Sequence, residues 1–277
     1  MVKFDSKNQK HVELATSQVF SHSNSLPILD LYGYILERNG EQMVLWQDYP
    51  NRHRYPSIFL PKDPRNWTHA SIVFATKEDV ERVKSEGIEI AEQKPAGIEY
   101  YFATKDFVEP KGSLGKKVRK FERDHAYKVL NAYPKETIRA FFDEWQKQPD
   151  RPQDKVRSDM SDPLDFDHFF FDYCLDHLDE YGIKQVYVEI DRKLAGMAWG
   201  VASHVPDKWV GLHMKALRDY PGLSRFLFCE RAKLFADRAE FSTSTGCDKP
   251  GMDAFKQELG PSRTSEYFTI ETKGKTS

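Results

Sequence analysis

The sequence predicts an α+β protein of two lobes, each a mixed, mostly antiparallel sheet flanked by helices. Three observations carry this. "LDLYGYILERNGEQMVLWQDY" reads as two strands around Asn39-Gly40, residues that accept the positive φ angles of a tight hairpin turn. "KQVYVEIDRKLAGMAWGVAS" reads as a second hairpin with a tight charged turn, and "DKWVGLHMKA" adds a third strand. Between them lie segments with apolar residues at helical spacing, so strands and helices are interleaved along the chain.

The first lobe is expected over residues 1–104. After its hairpin, "YPSIFLPKDP" is a short strand closed by prolines. "TKEDVERVKSEG" is a helix with a Thr76 cap, an acidic first turn and a terminal Gly87, and "GIEYYFAT" is a strand. The second lobe is expected over 105–277. "GSLGKKVRKFERDH" is helical with Ser113 as its cap, and "YKVLNAY" is a strand. "PKETIRAFFDEWQKQ" starts at Pro134 and sets Ile138, Phe141, Phe142 and Trp145 on one face. "PDRPQDKVRSDMSDP" is a polar loop, and "LDFDHFFFDYCLDHLDEYG" is an amphipathic helix ending at Gly182. The three strands follow, then the helix "GLSRFLFCERAKLFADR", the strand "EFSTS", the short helix "GMDAFKQELG" and a last strand, "SEYFTIET".

Composition narrows the function classes. Hydrophobic residues are 39% and charged residues 30%, the balance of a soluble chain with a core to which 19 Phe, 13 Tyr and 5 Trp contribute. A net charge of −2 argues against a surface basic throughout, while leaving room for a local patch. No apolar run reaches the roughly 20 residues that span a bilayer, and "MVKFDSKNQKHVELATS" has no apolar signal core. Cys174, Cys229 and Cys247 lie far apart with no CxxC spacing, which suits a reducing interior. A cytoplasmic protein is expected. Asp165, Asp167 and His168 read as the acidic start of a helix; no metal and no permanently bound cofactor is expected.

The order strand–strand–strand–helix–strand–helix–strand matches the GNAT acyltransferase fold, in which the strand before the central helix splays from its neighbour to form the donor cleft. "LAGMAWG", "LHMKA", "YPGLSRFL" and "STGCDKPGMDAFKQELGPS" resemble successive motifs of the phosphatidylglycerol lysyltransferase C-terminal domain family. "GKKVRKFERD" is similar to that family's basic helix. The resemblance covers about residues 20 to 272. It implies tandem GNAT-like lobes, the first without a working donor site, related to the Fem-type aminoacyltransferases. The implied chemistry moves an aminoacyl group from a charged tRNA to an amine or hydroxyl of a small-molecule or peptide acceptor. Where the family carries an Asn-bearing segment followed by Asp-Leu-Gly, this chain has "STSTGCDKPG", and the membrane-spanning half of the lysyltransferases has no counterpart in it.

Acyl transfer needs a neutral attacking amine, a stabilised oxyanion and a proton for the leaving group. The resemblance implies an oxyanion donor at the backbone N–H of Met214. Strand alternation would put Leu212, Met214 and Ala216 on one side and His213 and Lys215 on the other. His213 is a candidate base, and Lys215, at a family Lys position, a candidate holder of carboxylate or phosphate; both also read as solvated strand residues.

In the loop that follows, Arg218 stands four residues before Gly222, and Leu223 and Ser224 open a helix whose free N–H groups suit a phosphate. Pro221 removes one N–H there, which loosens any acyl-CoA pattern. Glu189 is a candidate partner for the acceptor amine, or an exposed strand residue. Asp248 and Asp253 are candidate acceptor contacts. Lys256 matches the Lys of the family's last motif, and Asp253 and Lys256 could also pair across one helix face.

"KGSLGKKVRKFERDHAYK" concentrates Lys116, Lys117, Arg119, Lys120 and Arg123, a field suited to a tRNA acceptor stem or simply a solvated face. The expected function is therefore aminoacyl transfer from aminoacyl-tRNA. The alternatives are acyl-CoA-dependent N-acylation of a small amine, and a catalytically inert GNAT-like binding protein.

Overall fold

The structure, a computed structural model, describes residues 1–46, 57–148, 163–245 and 250–275. The chain divides into two compact units, Met1–Glu99 with Thr264–Ser277, and Tyr100–Arg263.

The first unit contains β1 (Val2–Lys3), α1 (Gln9–Thr16), α2 (Leu26–Tyr32), β2 (Gly33–Arg38), β3 (Glu41–Trp46), β4 (Ser57–Ile58), β5 (Ser71–Ala75), α3 (Lys77–Ser85) and the start of β6 (Ile88–Ala103). Asn39 and Gly40 both have positive φ, 50° and 78°, as the hairpin turn requires. The segment read as one strand from Leu29 is helical up to Tyr32. Pro27 sits in the first turn of α2, and Ile28 and Leu29 are buried from it, so local start chemistry outweighs the apolar run. Thr76 and Asp79 close a reciprocal capping box on α3.

The second unit contains the end of β6, then α4 (Lys105–Val108), α5 (Gly112–Asp124), β7 (Tyr127–Leu130), α6 (Lys135–Gln146), α7 (Pro163–Asp176), β8 (Lys184–Ile190), β9 (Lys193–Ala202), β10 (Lys208–Ala216), α8 (Leu223–Lys233), β11 (Glu240–Thr245) and α9 (Pro250–Glu258). Ser113 lies inside the first turn of α5, whose N-cap is Lys111 with no side-chain cap. β12 (Arg263–Lys275) pairs antiparallel with β5, Phe268 opposite Ala75 and Ile270 opposite Ile72, so the last strand groups with the first unit.

Within the second unit the sheet order is β6-β11-β10-β9-β8-β7. Val186, Val188 and Ile190 of β8 join a core with Phe121 of α5 and Leu223, Phe226 and Leu227 of α8. The alternate β8 residue Tyr187 points the other way, toward Tyr133 and Trp199, and Phe171 of α7 stacks on Trp199 at 5.1 Å. Helices α5 and α8 thus cover one face, and α6 and α7 the other.

Three glycines let α8 and the turn after it lie close on the sheet. A Cβ at Gly196 would fall 2.6 Å from Leu227, one at Gly200 2.8 Å from Phe235, and one at Gly211 2.7 Å from the Arg231 guanidinium. Among the described residues, no helix is long and apolar enough to cross a membrane.

Candidate functional site

β10 is irregular where chemistry was expected. Its antiparallel register with β9 runs Val210↔Val201 and Gly211↔Gly200, then Met214↔Ala198 and Lys215↔Met197. One extra residue on β10 therefore sets Leu212 and His213 opposite Trp199, a β-bulge. The bulge offsets the expected alternation. Trp209 and Gly211 face α8 and, past the extra residue, Met214 and Ala216 do so again, while His213 and Lys215 face α6 and α7.

The hydrogen-bond phase beyond the bulge follows from one contact, Leu217 N–H to the Ala195 carbonyl at 2.9 Å. Antiparallel pairs alternate between bonded and non-bonded, so Lys215↔Met197 is a bonded pair and Met214↔Ala198 is not. The Met214 N–H consequently points away from β9, toward β11. There the parallel pairing of β10 with β11 covers only Lys208–Val210 with Glu240–Ser242, and both strands continue beyond it. The Met214 amide faces the gap between two parting strands.

The far wall of that gap is fixed by Lys256. Its buried ammonium donates to the Thr243 and Ser244 carbonyls, both at 2.8 Å, at the end of β11 where Ser244 adopts a positive φ of 70°. Asp253, one helical turn earlier, accepts from the Tyr100 hydroxyl at 3.0 Å. Asp248 and Cys247 lie outside the described residues.

The loop into α8 turns at Gly222, whose φ of 94° is left-handed, and α8 begins without a side-chain cap. Leu223 is fully buried in the core and Ser224 is half-buried, whereas Arg218 is exposed. The Gly222 Cα leans on α5: a Cβ there would lie 3.2 Å from Phe121. At this corner Lys117 of α5 and Arg225 of α8 both hold Glu258 of α9, the Arg225 contact being 2.6 Å. These contacts hold the Glu258 carboxyl below its ordinary range, the Arg225 and Lys117 hydrogen bonds first. Lys120 and Arg123 pair with Asp124, and Lys116 and Arg119 are exposed.

On the opposite face, His213 and Lys215 are brought together by Asp167 of α7. The Asp167 carboxylate meets His213 Nδ1 at 3.4 Å and the Lys215 ammonium directly. Phe170, Phe171 and Trp199 enclose the imidazole, and the ammonium lies 4.1 Å from the Trp145 ring centre. Burial works to raise the Asp167 carboxyl, but the Lys215 charge and the His213 hydrogen bond outweigh it and hold it low. Burial pushes the His213 imidazole below its usual range, against the pull of Asp167.

Glu189 is on the same sheet face but elsewhere. It accepts from the Tyr133 hydroxyl at 3.2 Å and lies 3.8 Å from Lys128 on the edge strand.

Four residues escaped the sequence reading. In the sequence Asp167 reads as part of an acidic helix start, although its place in "FDHFFF", among aromatic residues, signals burial. Arg225 follows the loop directly. Arg231 and Gly211 gave no sequence signal, since their roles need the bulge.

No family model matches this sequence, and no curated protein matches it. Solved structures do. A conserved protein of unknown function from Bacteroides thetaiotaomicron has a TM-score of 0.71 at 12% identity, over 98% of this chain and 100% of that one. FemX gives 0.62 at 12%, over 97% of each chain. The C-terminal domain of a protein described as a lysylphosphatidylglycerol synthetase from Agrobacterium fabrum gives 0.58 at 15%, over 94% of this chain and 91% of that one. A tandem GNAT protein from the clavulanic acid biosynthesis pathway gives 0.53 at 9%, over 100% and 98%. The chain has the tandem GNAT-like fold. At these identities the likeness is one of fold, and the chemistry rests on the residues described above.

Proposed function

We propose that the protein is an acyltransferase that moves an aminoacyl group from an aminoacyl-tRNA to an amine or hydroxyl acceptor. The observation that carries this reading is the Met214 amide turned into the gap between β10 and β11. An ester carbonyl placed there accepts from that N–H. Attack by the acceptor forms the new C–N or C–O bond and puts negative charge on the carbonyl oxygen. Collapse breaks the bond to the ribose oxygen, which leaves with the proton the acceptor has lost. FemX and the lysylphosphatidylglycerol synthetase domain support an acyl-transfer use of this fold. The exposed cations of α5, beside the uncapped start of α8, support a tRNA-borne donor.

The test is transfer of label from a tRNA pool charged with radiolabelled amino acids to amine and hydroxyl acceptors, alongside filter binding of the same pool. Saturable binding at low salt with label transfer is expected; no saturable binding would remove the tRNA reading. An acyl-CoA donor is the second reading, favoured by the left-handed Gly222 ahead of the free helix start. Thermal stabilisation by CoA, without tRNA binding, would select it.

A further inference from the structure

Arg231, in the last turn of α8, is 2% exposed, and among the described residues no carboxylate pairs with it. Its Nε has no hydrogen-bond partner, and its guanidinium lies 5.2 Å from the Phe228 ring centre and 5.6 Å from that of Trp209. A cation so placed is costly, and a core of this kind would accept an aliphatic side chain. What it reaches is specific. Nη1 donates to the Trp199 carbonyl at 3.3 Å and to the His213 carbonyl at 3.4 Å, the two strands that the bulge separates. Gly211 clears the space, since a Cβ there would sit 2.7–2.8 Å from the guanidinium atoms.

The His213 carbonyl and the Met214 N–H belong to one peptide group and point in opposite directions. A positive charge on the oxygen draws electron density from the nitrogen and strengthens the N–H as a donor. We propose that Arg231 is a positioning residue that holds the β10 bulge and polarises the His213–Met214 peptide, so that the Met214 N–H meets the oxyanion as a strengthened donor. This rests on the acyl-transfer reading above. The guanidinium touches no substrate and acts through the backbone. It is fixed before the reaction, as electrostatic stabilisation of a transition state requires.

The experiment uses the full chain labelled with ¹⁵N-methionine, the Met214 amide being assigned by its loss in Met214→Leu. In Arg231→Leu the Met214 amide proton is expected to move upfield, and in Arg231→Lys to return part of the way. Transfer from the radiolabelled aminoacyl-tRNA pool is expected to lose about tenfold in kcat, with KM for the donor within about twofold, since the charged transition state feels the stronger donor far more than the neutral ester carbonyl does. Arg231→Lys should recover part of this loss. If Arg231→Leu does not fold, Gly211→Ala displaces the guanidinium while keeping it in the chain, and the same resonance is read. An unmoved Met214 resonance overturns the inference whatever the activity, and so does a moved resonance with unchanged kcat. If the wild-type protein transfers no label while the resonance still moves, it is the acyl-transfer reading that falls, and the coupling of Arg231 to this peptide stands.

Discussion

One carboxylate gripped by two basic side chains occurs twice in the second unit, in opposite surroundings. Glu258 holds Lys117 and Arg225 at the surface, with 43% of its side chain exposed, while Asp167 holds His213 and Lys215 under the rings of α6 and α7. Water screens the first arrangement and offers each member a substitute partner. It reaches little of the second, where each charge depends on the others. Arg231 extends the contrast, as a buried cation whose partners are backbone carbonyls. The surface cluster is exchangeable and suits a site that meets a ligand. The buried groups are committed to the shape of β10.

The largest break in this comparison is Asp167→Leu. It strands the Lys215 ammonium, whose side chain is 10% exposed, without its counter-ion. Destabilisation of about 3–5 kcal/mol is expected in denaturant titrations. Adding Lys215→Met should restore part of it, because removing both charges is less costly than removing one. Full additivity of the two changes would show that the pair does not act as a unit.

The glycines beneath α8 come next. Gly196→Ala forces a Cβ within 2.6 Å of Leu227, a buried side chain packed on all sides, and should cost about 1–3 kcal/mol. Gly40→Ala meets nothing within 4 Å but requires a positive φ of 78°, so it separates backbone strain from crowding. A loss at Gly196 no larger than at Gly40 would mean that α8 can lift from the sheet.

Much of this architecture was legible because it is local. Asn39-Gly40 announced its hairpin, and Thr76 with Asp79 its helix start. The three strands and central helix of the second unit followed from alternation and spacing. What stayed hidden depends on pieces distant in sequence. Asp167 meets Lys215 across 48 residues, and Arg231 meets the His213 carbonyl across 18. The bulge is a register property of β9 and β10 together, so no pattern within "GLHMKA" reveals it. β12 pairing with β5 is likewise a match between segments distant in sequence, to which its own alternation is indifferent.

Proton linkage sharpens the buried cluster with a smaller effect. His213 is held below its ordinary range by burial, so as pH falls the unfolded chain takes up its proton first. Stability from this group is complete above about pH 7 and is lost as pH falls through about 6.5 toward the folded value, at no more than about 1.4 kcal/mol per pH unit. Asp167, held low by Lys215 and His213, acts in the same direction but below about pH 5, starting near the unfolded value of about 3.9. The two windows are separable. His213→Gln should flatten the stability profile just below about pH 6.5 and leave the part of the acid limb that Lys215 sustains; an unchanged slope there would mean that His213 binds its proton equally well in the folded and unfolded chains.

The smallest stability effect belongs to the surface cluster, and there the consequence is for binding. Glu258→Gln removes a carboxylate that neutralises Lys117 and Arg225 beside the start of α8, and should change stability by less than about 1 kcal/mol. It frees two cations at the corner where Gly222 meets α5, so on the proposed tRNA reading a charged tRNA should bind more tightly and with a steeper salt dependence. Lys117→Gln should do the reverse, lowering the salt slope by about one. If Glu258 instead anchors α9 against α8, the stability loss will rival that of Asp167→Leu and tRNA binding will fall. The contrast between a screened and an unscreened carboxylate would then be wrong at its exposed end.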